Sequence, residues 1–169
     1  LAYVYPATYE SEYAKLARAF AVGQLHLLDE PPQGLETAEN PYDSASRAQA
    51  AGARASDYWD TAYYNGKLYV YFGVLPAVVF YLPYFLITGQ DLPNFVPIAV
   101  CLVVLIAGIA RLLVQLARRW MPNVSVGALV LALLLVSLGA QLGWLVLSPS
   151  IYQVPVAMGL ALLVWAAVC

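Results

Sequence analysis

The side chains whose type and placement suit proton transfer in this chain are its acids, and two of them, Glu10 and Glu12, open what reads as an amphipathic helix. One reading is local: both carboxylates favour the positive end of a helix, and Glu12 pairs with Lys15 three residues on. The other is chemical. A carboxylate at a membrane face can act as a general base or a metal ligand, activating an acceptor hydroxyl for attack on an activated sugar. Asp29, Glu30, Asp43, Asp57 and Asp60 are further acids, each of a type that commonly forms turns or stays solvated in loops. His26, the sole histidine, sits between Leu25 and Leu27 and reads as packed or interfacial. No nucleophile elbow, phosphate loop, zinc spacing or dinucleotide fingerprint is present, so no metal site is assigned. The residues name no cofactor and leave a divalent cation open.

Aromatic residues accompany the acids. Ten of the 13 tyrosines precede Phe72. Tyr69, Tyr71, Tyr81 and Tyr84 suit an interfacial belt, where an apolar ring with a polar tip prefers the headgroup level. Tyr58, Trp59, Tyr63 and Tyr64 suit a sugar platform, on which flat rings stack against a pyranose while phenol hydroxyls meet its rim. Together with Asp60 and Lys67 of the same segment they are the expected substrate-binding set.

Several elements must position these groups. Apolar side chains at Tyr13, Leu16, Ala17, Phe20 and Ala21 share one face of a helix expected over Tyr9–Leu28, with Thr8 as its cap. Pro31-Pro32 and Asn40-Pro41 make Glu30–Asp43 an irregular loop. Ser44–Ser56 is alanine-rich and reads as a short helix weakened by Gly52. Asn65-Gly66, set between aromatic residues, predicts a β-hairpin with a type I′ turn.

Residues 1–67 hold 14 of the 18 charged side chains. The remainder is far too apolar for one soluble core. With 62% hydrophobic residues, 11% charged and a mean hydropathy of +0.71, the chain is expected to be an α-helical integral membrane protein. Its net charge of −2 and lack of a basic cluster larger than Arg118-Arg119 argue against electrostatic recruitment by nucleic acid or by an anionic surface. Cys101 and Cys169 lie in apolar runs and read as small buried hydrophobes. Because the chain starts at Leu1 without a signal peptide and closes on an apolar run, it reads as a fragment of a longer protein.

Membrane-crossing helices are expected at about 92–116, 124–147 and 152–169, the last truncated. The run Tyr69–Thr88 is apolar enough to span, but Gly73, Pro76 and Pro83 interrupt it. Arg118 and Arg119 place the link after the first span in the cytoplasm, and Asp91 outside. A re-entrant or surface-lying helix over 69–91 then puts residues 1–68 on the extracytoplasmic side. A full crossing would put them inside. Two prolines in that run favour the first arrangement.

In their order, the acidic pair ahead of Tyr13, the segment AVGQLHLLDEPP, the loop ENPYDSASR, the stretch YWDTAYYNGKLYVYFGVLPAVVFYLPYFLITG and the late SPSIYQVPVAMG resemble a largely uncharacterised group of bacterial multi-spanning membrane proteins. That group is similar in layout to GT-C glycosyltransferases of the protein-mannosyltransferase type. The resemblance runs through nearly the whole chain. It implies a large first extracytoplasmic loop with juxtamembrane helices, a catalytic acid, a polyprenyl-phosphate sugar donor and an inner-membrane location. Such transferases place an Asp-Glu pair four and three residues before a tyrosine. Measured from Tyr13, those positions hold Tyr9 and Glu10, so Glu10 carries over and Glu12 is the neighbour able to substitute. FGVLP stands where a His-Pro-Pro type motif is usual. The implied catalytic residues are Glu10 and Glu12, with Tyr13 beside them at the substrate. The alternative is a non-catalytic multi-spanning protein, either a transporter component, for which Arg111, Gln115 and Gln141 are the polar candidates, or a cell-envelope assembly protein.

Overall fold

The structure, a computed structural model, describes residues 11–32, 34–38, 40–52, 60–140, 142–147 and 149–169. They fall into two compact units that divide between Leu92 and Pro93, not at the change of composition at Lys67. The apolar run after the hairpin therefore belongs with the polar residues before it. Glu10, Tyr58 and Trp59, together with Thr8, Asp57 and Gln141, lie outside the described residues.

The first unit is built on helix α1, Glu12–Ala21. Its end comes seven residues before the expected Leu28, and the reason is local. Gly23 takes a left-handed φ of 78°, its N–H bonds the Phe20 carbonyl, and the Gln24 N–H bonds Ala19. This is a Schellman stop, which satisfies the last carbonyls and reverses the chain. Tyr13, Leu16, Ala17 and Ala19 are buried, against the helix over Ala77–Thr88 and the hairpin. Past the stop, the Leu27 N–H bonds the Leu68 carbonyl at 2.8 Å, and both leucine side chains are buried. Each contributes roughly 2 kcal/mol by leaving water.

Helix α2, Ser44–Ala51, is capped by Asp43, whose carboxylate accepts from the N–H groups of Ala45 and Ser46. Those bonds, Ser46's first, hold the Asp43 carboxyl below its ordinary range. The helix stops at Gly52, where φ is 55°. Strands β1, Thr61–Tyr64, and β2, Lys67–Val70, pair antiparallel with Tyr64 opposite Lys67. Asn65 and Gly66 have φ of 50° and 73°, the two positive values a type I′ turn needs. Arg47 ties α2 to this hairpin, donating from Nε to the Pro41 carbonyl and from a terminal nitrogen to Thr61, each at 2.7 Å. The Tyr42 hydroxyl donates to the Tyr63 carbonyl.

The chain then enters a π turn, Ala77–Tyr81, that runs directly into α3, Leu82–Thr88. Pro83 has no N–H to give, and its ring crowds the carbonyl one turn back, so the turn before it widens. Gly89, at φ 68°, ends α3. One side of this helix, Ala77 and Tyr81, is buried; Val78, Val79, Leu86 and Ile87 on the other are exposed.

In the second unit α4, Phe95–Trp120, packs mainly on α7, Gln153–Val168. Ile98, Cys101, Leu105 and Ile109 of α4 are buried, as are Val154, Ala157 and Ala161 of α7. Gly108 leaves no room for a side chain, since a Cβ would stand 2.9 Å from Val164 Cγ1 and 3.0 Å from Trp165 Nε1. The indole N–H donates to the Val104 carbonyl at 2.9 Å, and the Gln115 amide to Val168 at 3.3 Å. Gln115 is thus accounted for by packing.

Among the described residues α4 is the one helix long and apolar enough to cross a bilayer, at 26 residues. It outlasts the expected 92–116 and carries Arg118 and Arg119 in its last turn. The segment expected at 124–147 forms two helices, α5, Val126–Gly139, and α6, Leu142–Leu147. Ala140 departs from helical geometry with ψ near 2°, just after Gly139, a weak helix former. No residue of α5 is buried. Cys101 is buried as expected, whereas Cys169 is exposed.

Candidate functional site

The site forms where α1 begins. Ser11 is the N-cap, and the next two residues point into the packed interior between α1, the π turn and the hairpin. A carboxylate in the first turn ordinarily stays in solvent and interacts with the helix dipole from there. Glu12 instead is only 3% exposed. Its Oε1 lies 3.7 Å from Lys15 Nζ, and the same ammonium sits 3.0 Å from Asp29 Oδ2. Glu12 Oε2 has no hydrogen-bond partner among the described residues.

The electrostatics follow from that geometry. Burial raises the Glu12 pKa by penalising the carboxylate, Lys15 opposes it, and the negative charges of Asp29 and Asp60 push it up again, leaving it at about 7 against an ordinary 4.5. Glu12 thus titrates near neutrality. Lys15 holds a compact acidic group together by bridging Glu12 and Asp29.

Tyr13 packs beside it. It is fully buried, its ring centroid lies 5.5 Å from that of Tyr81 and 6.3 Å from that of Phe72, and burial pushes its hydroxyl up to about 12. The Tyr13 hydroxyl has no partner among the described residues either. Tyr81 belongs to this core and not to an interfacial belt, because the π turn aims it at α1. Tyr71, 77% exposed, and the half-buried Tyr84 and Tyr69 keep the exposure a belt requires. His26 is half-buried with its ring 6.2 Å from that of Tyr69.

Of the expected site residues, Glu12, Tyr13 and Asp60 come together. Asp60 is half-buried just before β1, its carbonyl accepting the Tyr71 N–H at 3.2 Å. Tyr63 and Tyr64 do not form one platform, because neighbouring strand residues face opposite sides. Tyr63 shares its face with the buried Leu68, while Tyr64, 69% exposed, shares the other with exposed Lys67. Among the described residues no group of three His, Cys, Asp or Glu side chains is placed to hold a metal ion.

Asp29 stood among the candidate acids, but its partner was not evident from the pattern, and neither were the roles of Arg18 and Arg47. Asp29 reaches Lys15 because the Schellman stop at Gly23 sends the chain back along α1, and the glycine in AVGQ was the available signal. Arg18 pairs with Asp91 at 3.4 Å, binding α1 to the segment after α3 across more than 70 residues. Arg47 serves backbone carbonyls, which no side-chain pattern announces. Comparison with known protein families, with curated proteins and with solved structures gave no match for this chain.

Proposed function

We propose that the chain forms an outer-face layer and adjoining spans of a bacterial inner-membrane glycosyltransferase of the GT-C type, with Glu12 as its general base. The observation that carries this reading is the buried Glu12, held near pKa 7 with one oxygen uncommitted. A base is most useful when its pKa lies close to the working pH. In the reaction, an acceptor hydroxyl attacks the anomeric carbon of a polyprenyl-phosphate sugar. The bond from that carbon to the phosphate oxygen breaks, the lipid phosphate leaves with the electron pair, and Glu12 Oε2 takes the hydroxyl proton. At 3% exposure Glu12 is covered in this conformation, so substrate entry must uncover it.

The membrane assignment is supported by α4, by the apolar and unburied α5, and by the exposed side of the helix over Ala77–Thr88. Arg118 and Arg119 in the last turn of α4 support a cytoplasmic C-terminus for that helix, by the excess of basic residues in cytoplasmic links. The test is transfer itself. Membranes containing the full-length protein transfer sugar from a polyprenyl-phosphate donor, and Glu12→Gln removes transfer at unchanged expression. Transfer that survives in Glu12→Gln and passes to Glu10→Gln would relocate the base; transfer that survives in both would end the proposal.

A further inference from the structure

Beyond the acidic site, α4 and α5 enclose a cleft of about 420 Å³ at their shared turn. Its walls are two helical stripes, Ala110, Leu113 and Ala117 on α4 and Val126, Leu129 and Leu133 on α5, each repeating at three- and four-residue steps. The lining is apolar throughout except at one place, where Arg118 stands on the α4 wall. Arg119 follows it, with its guanidinium 5.9 Å from the Trp120 ring. Residues 92–169 contain three arginines, Arg111, Arg118 and Arg119, and no Asp or Glu at all. The cationic end of α4 therefore has no acidic side chain in its own unit to neutralise it.

We propose that this cleft binds one anionic phospholipid of the cytoplasmic leaflet, an acyl chain lying between α4 and α5 and the phosphate on Arg118 and Arg119. It rests on the membrane placement above. Charge complementarity selects the lipid class: a guanidinium pairs with a phosphate oxygen through two N–H groups, and a zwitterionic headgroup cancels most of that attraction. The apolar walls supply the rest, since each methylene removed from water strengthens binding. Free phosphate engages the arginines alone and leaves the cleft unfilled.

The test uses the full-length protein in nanodiscs of phosphatidylcholine with graded phosphatidylglycerol, followed by mass spectrometry of the lipid retained after detergent washing. Wild type retains phosphatidylglycerol in preference to phosphatidylcholine. Arg118→Ala and Arg119→Ala each lower that preference about fivefold, from roughly one thermal-scale charge interaction apiece at the membrane surface. Leu129→Trp fills the cleft and lowers retention of either lipid. A preference unchanged in the double arginine variant, or displacement by inorganic phosphate as effective as by lipid, overturns the proposal, as does occupation of the cleft by another helix of the full chain. Alkaline washing of native membranes separates the causes of failure: a chain stripped from the membrane refutes the membrane placement and the lipid site together, whereas a chain that stays without selective lipid refutes the site alone.

Discussion

Replacing Glu12 with glutamine should stabilise the first unit at alkaline pH while removing its proposed chemistry. In the fold the carboxyl titrates at about 7, against an ordinary 4.5. A raised acid pKa means that the folded state holds the proton more tightly than the unfolded chain. The stability this confers is fully present below pH 4.5 and is lost as pH rises through 7. The difference amounts to about 3 kcal/mol as a ceiling. Glutamine has the shape of the protonated acid and never ionises, and Lys15 keeps Asp29 at 3.0 Å. For a unit of this size the variant should melt on the order of 10 °C higher at pH 8 and about equally at pH 4.5. Thermal unfolding of the full-length protein in nanodiscs, followed by near-ultraviolet circular dichroism of its buried tyrosines, measures this. Melting curves that stay parallel from pH 4.5 to 8 would refute the reasoning, because they would mean that Glu12 is solvated or fully paired.

Two further substitutions probe the same packing. Tyr13→Phe removes a buried hydroxyl without a partner among the described residues, so stability should hold or rise by up to about 1 kcal/mol; a loss in chemical denaturation would show that the hydroxyl is bonded. Arg47→Ala removes two short bonds to the Pro41 and Thr61 carbonyls and should cost about 2 kcal/mol. Arg47→Lys should not restore it, because an ammonium cannot span both carbonyls as the guanidinium fork does; hydrogen exchange of β1 reads the effect.

The parts of the fold that were legible in the sequence are those set by local chemistry. Asn65-Gly66 named its turn because only residues tolerant of positive φ fit there, whereas Gly52, read as a weak point within a helix to Ser56, ends that helix after Ala51. The existence of α4 followed from its long apolar run, although the helix continues through Arg118 and Arg119 to Trp120. What escaped depends on where the chain travels next. Leu25, Leu27 and Leu28 continue the apolar pattern of α1, so periodicity ran past the stop that Gly23 imposes. Tyr81 and Tyr71 have equal hydropathy, yet one is core and the other exposed, a distinction made by the π turn before Pro83. At the site, the pairing of Glu12 with Lys15 was visible as a three-residue spacing. Its burial was not, since that needs the hairpin and the π turn to close over the start of α1. The opposite facing of Tyr63 and Tyr64 was implicit in strand alternation, and a platform using both conflicts with the hairpin itself.

The central claim is that an outer layer ending near Leu92 carries the acidic site, with the turn after α4 on the opposite side of a bilayer. In a background with Cys169 changed to Ser, because that thiol is exposed, single cysteines at Ser46 and Asn123 report the two sides through an impermeant thiol reagent added to intact cells. Ser46→Cys should react in intact cells and Asn123→Cys only after lysis. Labelling of both from outside, or of Asn123→Cys alone, would contradict it.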